Sequence, residues 1–225
     1  MFSALLQHAL DLNDLLNYII TSICIRFYGM IHHLKGPFER SARPFTDFLI
    51  RHRLTASVLT ITAFLGTVLA SVLVYYEIWK LGAFLLLVFS LFDALDGLVA
   101  RSNNTAKPAG AFLDSVMDRF SDSAILFAII LYGFRVENKG IFVLALLALI
   151  ISLITSYIKA KAENFLEFGS IGLLQRPERI LIIFLMLLFP KYLLVGLWIL
   201  VIGGGITITQ RLYAAYQKFN QQSVS

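Results

Sequence analysis

The chain has 225 residues, of which 58% are hydrophobic and 15% charged, and its mean hydropathy is +0.78. These values lie far from soluble globular averages, so they exclude an ordinary soluble domain and indicate a polytopic membrane protein. The net charge of +5 comes from basic residues beside apolar segments, which favours contact with the lipid bilayer over nucleic-acid binding. A single cysteine, Cys24, excludes an internal disulfide and a cysteine-based zinc site.

Residues 1–42 are interpreted as an N-terminal extension, because Asp11 and Asp14 interrupt an apolar pattern too short to span a bilayer. A cationic start and a cleavage site are missing, so we expect no signal peptide. The segment from Arg43 to Arg53 mixes phenylalanine, leucine and isoleucine with basic residues, which predicts an interfacial helix. This helix would open the main domain, residues 43–225.

The main domain is predicted to be all-α, with six transmembrane helices. Three segments are charge-free and about as long as the 20 residues that a span requires, namely Thr55–Tyr76, Gly140–Ile158 and Tyr192–Thr209. Three further segments are apolar but charged at one end, namely Leu81–Arg101, Ala109–Phe134 and Ile171–Phe189.

The charges of these three segments predict the orientation. If all six helices cross alternately, the charges at the ends of the three partly charged segments lie on one side of the membrane. These are Asp93, Asp96 and Arg101 at the end of the second span, Asp114, Asp118 and Asp122 at the start of the third, and Arg176 and Arg179 at the start of the fifth. Most lysines and arginines fall on that side, and only Lys80, Arg135, Lys139 and Lys191 fall on the other. By the positive-inside rule the charged side is cytoplasmic, so we expect a multi-pass protein of the cell membrane with both termini inside.

Carboxylates recur at helical spacing where the second and third spans meet. Asp93 and Asp96 share a face of the second span, and Asp114 and Asp118 share a face of the third. Four carboxylates this close in a poorly solvated site require neutralising cations. Hard oxygen ligands favour Mg²⁺, Mn²⁺ or Ca²⁺, and two such ions suit phosphoryl chemistry. The alternative is a set of salt bridges with Arg101, Arg119 and nearby lysines.

This pattern resembles the signature of the CDP-alcohol phosphotransferase family. The matching positions are Asp93, Asp96, Gly97, Ala100, Arg101, Gly110, Asp114 and Asp118. The resemblance implies that the four aspartates bind two divalent ions, with Mg²⁺ expected and Mn²⁺ as the alternative, and that Asp118 is also the general base. It further implies transfer of a phosphatidyl group from a CDP-lipid such as CDP-diacylglycerol to an alcohol, with release of CMP.

The resemblance also implies a nucleotide site. Gly97 and Arg101 would contact the nucleotide and its pyrophosphate, Lys107 would add a phosphate contact, and Gly110 would leave room for a ligand. Members of this family often begin the first span with Thr, Pro, Asn or Asp, two variable residues and Thr. This chain reads TASVLT from Thr55 to Thr60, so Ser57 and Thr60 are the nucleotide-binding candidates there.

The predicted acceptor is a phosphorylated polyol. Basic residues after the signature could bind its phosphate, namely Lys159, Lys161, Arg176, Arg179 and Arg211, although the positive-inside bias alone would also place cations here. The sequences SYIKAKAE, RPER and GAFLDSVMDR resemble the branch that uses inositol phosphate, in which Lys161 is often an arginine. Glycerol 3-phosphate is the alternative acceptor, but its enzymes more often read DPxxDK where this chain reads DSVMDR.

Two further interpretations remain open. Carboxylates buried in a membrane bundle also mark ion pathways, so a divalent-cation transporter is the alternative from another functional class. Gly203–Gly205 in the last span could permit close contact in a homodimer or within one chain.

Overall fold

The computed structural model describes residues 55–102, 108–165, 168–169 and 171–222, and within these it leaves out the side chains of residues 94, 96–102 and 221–222. The predicted extension, the interfacial helix and the boundary at residue 43 lie outside the described residues. The described residues contain α-helices and one 3₁₀ turn but no strand. The six helices are α1 Ala56–Tyr75, α2 Trp79–Ser102, α3 Pro108–Arg135, α4 Lys139–Glu163, α5 Arg176–Leu188 and α6 Leu193–Gln222.

Three of these helices are long and apolar enough to cross a membrane, over Ala56–Tyr75, Lys139–Glu163 and Pro190–Asn220. They correspond to the three charge-free spans, so that prediction is confirmed. Large apolar side chains cover the outside of the bundle, and Leu65, Phe84 and Trp198 are each more than half exposed. Such a surface is typical of a protein surrounded by lipid.

The helix of the predicted fifth span is shorter than the segment Ile171–Phe189 and begins at one of the two arginines predicted to open that span. Residues 171–175 form an irregular segment and α5 begins only at Arg176, with Pro177 in its first turn. Gly172 has φ +123, a backbone conformation that no α-helix contains. The 13 residues of α5 extend about 20 Å at 1.5 Å per residue, less than the roughly 30 Å of a bilayer's hydrocarbon core.

Short turns fix the antiparallel order of neighbouring helices. Glu77 and Glu137 adopt left-handed conformations, with φ 64 and φ 53, directly after α1 and α3. In each turn a backbone N–H returns to the preceding helix, from Ile78 to the Leu73 carbonyl and from Asn138 to the Gly133 carbonyl, both at 2.9 Å. These turns place the ends of α1 and α3 at the same end of the bundle.

An ion pair and aromatic contacts join those two turns. Arg135 Nη2 lies 2.6 Å from Glu77 Oε1, and its guanidinium carbon lies 4.8 Å from the centre of the Tyr75 ring. The Trp79 and Tyr132 rings meet edge to face at 4.7 Å. These contacts hold this end of the bundle together, away from the predicted metal ligands Asp93, Asp114 and Asp118.

The helices close into a ring in which each makes its most extensive contacts with two others, in the order α1, α3, α4, α6, α5, α2 and back to α1. The buried apolar core occupies the half of the bundle nearer the Glu77 and Arg135 turns. Its least exposed members include Ala70, Val74, Ala83, Ile125, Ile129, Ala145, Leu187 and Leu197. The carboxylates lie in the other half, so an apolar half supports a polar one.

Close helix contacts within the chain account for two of the three glycines in the last span. A methyl group built on Gly203 would lie 2.5 Å from the Leu174 side chain, and one on Gly204 would lie 2.4 Å from Ile151. One built on Gly205 meets no described atom within 4 Å. Gly203 and Gly204 thus serve packing within the chain, and a homodimer through this segment stays a prediction.

The contact between α1 and α2 gives a test of this packing. A methyl group at Gly66 would lie 2.1 Å from the ring of Phe89, so Gly66→Ala must displace the ring and should destabilise the protein by about 1–3 kcal/mol, as overpacking usually does. Gly205→Ala is the matched control and should be neutral or slightly stabilising because alanine favours helix. Thermal unfolding in detergent compares the two, and equal stability of both variants would contradict this packing.

Candidate active site

The site lies where the C-terminal half of α2 meets the N-terminal half of α3. α3 begins at Pro108, one residue before the predicted third span, because proline suits the first turn of a helix. Asp114 and Asp118 are one turn apart on α3 and therefore share a face. Asp93 projects toward the same place from α2, and one carboxylate oxygen from each of the three lies within 4.8 Å of the others.

These three aspartates could hold a metal ion. All three are half-buried and contribute oxygen donors, which fit a hard divalent cation such as Mg²⁺ or Mn²⁺. The fourth predicted ligand, Asp96, lies one helical turn after Asp93 on α2, but its side chain is outside the described set. The structure thus brings together the three described members of the predicted metal site.

Arg176, the first residue of α5, reaches into this cluster. Its Nη1 donates to Asp93 Oδ2 and lies 2.9 Å from Asp118 Oδ1. That Asp118 oxygen is buried and has no hydrogen-bond partner among the described residues, so its contact with Arg176 is an ion pair without hydrogen-bond alignment. Arg176 therefore supplies positive charge directly between helices α2 and α3.

A fifth carboxylate, Asp122, extends the site by one more turn of α3. Its Oδ1 lies 3.7 Å from Arg176 Nε and its Oδ2 lies 3.2 Å from Arg179 Nη2. Arg179 also donates to the Ser152 hydroxyl on α4. Asp122 thus links both arginines of α5 to α3, while Ser152 fixes Arg179 from the opposite side.

Sequence reasoning placed Asp122 on the charged side of the membrane but missed its role, and it missed Ser152 altogether. The spacing of Asp114, Asp118 and Asp122 at intervals of four residues was a usable signal, because it puts all three on one helical face. Ser152 lies within the apolar segment of α4, where nothing local marks it. Only its contact with an arginine 27 residues later in the chain identifies it.

Arg211 holds the segment that precedes α5. Its Nε donates to the Ile171 carbonyl at 2.8 Å and its Nη1 donates to the Thr155 carbonyl at 2.5 Å. The side chain is buried, with Arg211 only 5% exposed. In the described structure this predicted phosphate ligand therefore connects α4, α6 and the segment that leads into Arg176.

Two side chains of α6 complete this attachment. Gln210 Oε1 accepts a hydrogen bond from Leu173 N, and Thr207 Oγ1 accepts one from Leu174 N, both at 2.9 Å. Each bond satisfies a backbone N–H that lies outside any helix. The start of α5, and with it Arg176, is consequently fixed against α6.

The two predicted lysine ligands make their described contacts at the end of α4. Lys159 Nζ lies 3.6 Å from Glu163 Oε1, and Lys161 Nζ lies 5.3 Å from the centre of the Phe165 ring. These contacts are partly exposed and leave flexible side chains. The described contacts therefore join Arg176 and Arg179 to the aspartates but not the lysines.

The predicted nucleotide site is only partly described. Thr55 caps α1, with its side chain accepting from Val58 N at 3.4 Å, so Ser57 lies in the first turn. Thr60 is buried one turn further and donates to the Ala56 carbonyl. A methyl group on Gly110 would meet no described atom within 4 Å, which leaves space beside the first turn of α3.

The remaining nucleotide candidates lie beyond the described side chains. Gly97 and Arg101 belong to the last turns of α2, where only the backbone is described, and Lys107 lies in the undescribed connection to α3.

Comparison with known proteins defines the class of this chain. Residues 53–209 match the CDP-alcohol phosphatidyltransferase family, and the chain belongs to that family. It is therefore an enzyme of the CDP-alcohol phosphatidyltransferase class, in agreement with the resemblance seen in its aspartate signature.

Named relatives refine this comparison. Over 193 residues the chain is 34% identical to a phosphatidylinositol phosphate synthase of Mycobacterium tuberculosis, covering 81% of this chain and 88% of that protein. Over 187 residues it is 37% identical to an archaetidylinositol phosphate synthase of Pyrococcus horikoshii, covering 82% of this chain and 94% of that protein.

Solved structures agree with these relatives. The crystal structure of the Mycobacterium tuberculosis synthase with CDP-DAG bound superposes with a TM-score of 0.73 at 32% identity, covering 79% of this chain and 94% of that one. The same synthase in complex with manganese and citrate gives a TM-score of 0.70, covering 77% of this chain and 88% of that one.

Replacing Arg211 tests its structural contacts. Arg211→Met should release the Ile171 and Thr155 carbonyls and increase hydrogen exchange at the Leu173 and Leu174 amides, because the segment loses its link to α4. Arg135→Met, which breaks the ion pair at the other end of the bundle, is the matched control and should leave these amides protected. Unchanged exchange in Arg211→Met would show that the two α6 hydrogen bonds suffice.

Proposed function

We propose that this enzyme transfers the phosphatidyl group of CDP-diacylglycerol to a hydroxyl of inositol phosphate and releases CMP. The observation that carries the proposal is the direct contact between the carboxylate cluster and the arginines of α5. This arrangement places oxygen donors for divalent cations beside guanidinium groups that suit a phosphate. The names of the relatives, which include inositol phosphate synthases of bacteria and archaea, support the choice of acceptor.

Asp93, Asp96, Asp114 and Asp118 would hold two divalent cations, with Mg²⁺ expected and Mn²⁺ as the alternative. When bound, such ions neutralise phosphate oxygens and stabilise charge that develops on a leaving phosphate. The manganese complex of the related synthase supports a divalent cation, and the described carboxylate group supports its location. Carboxylate oxygens are ligands that both Mg²⁺ and Ca²⁺ accept.

The chemistry of the chain's own residues is a displacement at phosphorus. Asp118 accepts the proton of the acceptor hydroxyl, whose oxygen attacks the phosphorus that bears the diacylglycerol. A new bond forms between that oxygen and phosphorus, the bond from phosphorus to the bridging oxygen breaks, and CMP leaves with the electron pair. Most of the rate enhancement comes from positioning and electrostatics.

The nucleotide would lie near the ends of α1, α2 and α3. Its binding site would be lined by Ser57, Thr60, Gly97 and Gly110. Its phosphates would be bound by Arg101 and Lys107. The related synthase with CDP-DAG bound supports a nucleotide-linked lipid as donor, and the space beside Gly110 supports its approach to α3.

The acceptor phosphate would bind on the side of the aspartates that faces α5, away from the nucleotide. Arg176 and Arg179 pair with the carboxylates and would bind the phosphate directly. Lys159 and Lys161 would reach it from the end of α4. Arg211 would add positive charge to the pocket and hold the segment before α5. Bidentate arginine contacts discriminate a phosphate from a neutral hydroxyl. A phosphorylated polyol therefore fits this pocket better than a neutral or amino alcohol.

We further propose that the chain crosses the cell membrane six times, the fifth time as α5 together with the irregular segment 171–175 before it, with the interfacial helix, both termini and the active site on the cytoplasmic side. The separation of an apolar half from a half that contains the carboxylates supports this topology. It also argues against a divalent-cation transporter, since transport requires polar groups that continue past the midplane. A homodimer is consistent with the exposed apolar faces and is proposed on that basis alone.

CMP release distinguishes the acceptors. Purified full-length protein is supplied with CDP-diacylglycerol and Mg²⁺, and inositol 1-phosphate is compared with glycerol 3-phosphate. We expect release with inositol 1-phosphate to be at least about tenfold faster, because a site that hydrogen-bonds the ring hydroxyls of one acceptor rejects an acceptor lacking them by that factor or more. Faster release with glycerol 3-phosphate would overturn the acceptor and keep the class of reaction.

Asp118→Asn is the negative control for this assay. It removes both a carboxylate ligand and the proton acceptor, so turnover should fall below detection, a loss exceeding the roughly 10²–10⁴-fold effect of a general base alone. Unfolding temperatures measured alongside confirm that the fold is intact. Full activity of Asp118→Asn would exclude it as the base.

A further inference from the structure

Arg176 contacts carboxylates that the proposed metal site requires. Asp93 and Asp118 each contribute an oxygen to the three-carboxylate group, and both are ion-paired to Arg176 Nη1. A divalent cation needs those oxygens as ligands at about 2.0–2.6 Å. The Arg176 guanidinium occupies part of the acceptor capacity of Asp93 and Asp118, and its positive charge beside these carboxylates repels a second cation, so the two cations compete.

Asp122 offers Arg176 a second partner that lies outside this group. The Nε of Arg176 is 3.7 Å from Asp122 Oδ1, is buried, and has no hydrogen-bond partner among the described residues. Arg176 therefore has an unused N–H group close to the Asp122 carboxylate. Because Asp122 is held at 3.2 Å by Arg179, which itself bonds to Ser152, it is a fixed carboxylate.

The surroundings of Asp122 are polar. A small cavity with room for about one water molecule is lined by Asp93, Asp122 and Arg176, with Thr67, Ser90 and Ser121 supplying further hydroxyl groups. A guanidinium that leaves Asp93 and Asp118 can therefore stay within a polar environment. It does not have to cross the apolar half of the bundle.

We propose that Arg176 is a positioning residue that competes with the divalent cation for Asp93 and Asp118, and that Asp122 retains its guanidinium beside the site after the cation binds. This inference rests on the proposed function. Before a cation enters, Arg176 neutralises carboxylates that would otherwise repel one another in a poorly solvated site. Afterwards the same guanidinium is free to bind the acceptor phosphate, so binding of the cation and of the acceptor are coupled.

Manganese binding tests the competition without relying on activity. The affinity of purified protein for Mn²⁺, with no lipid or acceptor present, is measured from the electron paramagnetic resonance signal of free Mn²⁺. We expect Arg176→Gln to bind at least tenfold more tightly than the natural chain, because its neutral amide competes weakly for the carboxylates. The matched control is Arg179→Gln, which removes an equal positive charge three residues further along α5. Among the aspartates Arg179 is paired with Asp122 alone, so this variant should tighten Mn²⁺ binding less than threefold.

Arg176→Lys provides a second variant if Arg176→Gln does not fold. A lysine ammonium keeps the charge but lacks the planar fork that spans two carboxylates, so Mn²⁺ should bind at least threefold more tightly. Equal tightening in Arg176→Gln and Arg179→Gln would indicate only long-range electrostatics and overturn the competition. Weaker binding in Arg176→Gln, or unchanged binding in Arg176→Lys, would also overturn it.

The role of Asp122 has its own readout. In Asp122→Asn the carboxylate that holds the Arg176 guanidinium beside the site is lost. The KM for inositol 1-phosphate should therefore rise at least fivefold, while kcat changes less than threefold. An unchanged KM would overturn this part of the proposal. These failures would leave CMP release by the natural chain intact, whereas a natural chain that neither binds Mn²⁺ nor releases CMP would contradict the proposed function as well.

Discussion

The structure depends on how several carboxylates are accommodated within one end of an otherwise apolar bundle. An isolated buried charge costs several kcal/mol, and a charge in the centre of a bilayer costs about 2.5–3.5 kcal/mol on insertion scales. Here Asp93, Asp118 and Asp122 are half-buried and face the arginines of α5. Opposite charge supplied from a neighbouring helix is what makes this concentration of negative charge tolerable.

That requirement explains the irregular segment before α5. In a regular helix that began at Ile171, the Ile171 carbonyl would accept from the N–H four residues later and would not be available to Arg211. Instead, the segment's N–H groups bond to Thr207 and Gln210, and a carbonyl accepts from Arg211. These contacts fix where α5 begins and therefore where Arg176 meets the aspartates. The short length of α5 is thus a consequence of the site it serves.

The two halves of the bundle have different tasks. One half is a close-packed core whose residues are almost all aliphatic, and it holds the helices in position. The other half contains hydroxyl groups, carboxylates and guanidinium groups that an apolar core could not satisfy internally. Rigid support at one end and chemistry at the other is the arrangement that pre-organised active sites need.

Much of this could be predicted from the sequence. Charge-free segments identified three spans because hydrophobic length is a strong local signal, and the spacing of Asp93, Asp114 and Asp118 placed them together because helical periodicity is fixed. The start of α5 could not be predicted in this way, since it depends on contacts with Thr207 and Arg211 more than 30 residues away. The same holds for Ser152, whose role depends on the hydrogen bond that its hydroxyl accepts from Arg179.

The roles of the arginines were the hardest to infer. Positive charge near a membrane boundary has a topological explanation that is independent of any site, so sequence alone treated five basic residues alike. Their contacts separate them into three groups. Arg176 and Arg179 pair with the aspartates, Arg211 binds backbone carbonyls, and Lys159 and Lys161 make contacts at the end of α4.

We propose that the aspartates of α2 and α3 hold two divalent cations. Anomalous diffraction from crystals grown with Mn²⁺ and CDP-diacylglycerol tests it most directly. The account predicts two anomalous peaks per chain, each within about 2.0–2.6 Å of carboxylate oxygens drawn from Asp93, Asp96, Asp114 and Asp118. Peaks at other residues, or density between these aspartates that is occupied by Arg176 with Mn²⁺ present in excess, would contradict it.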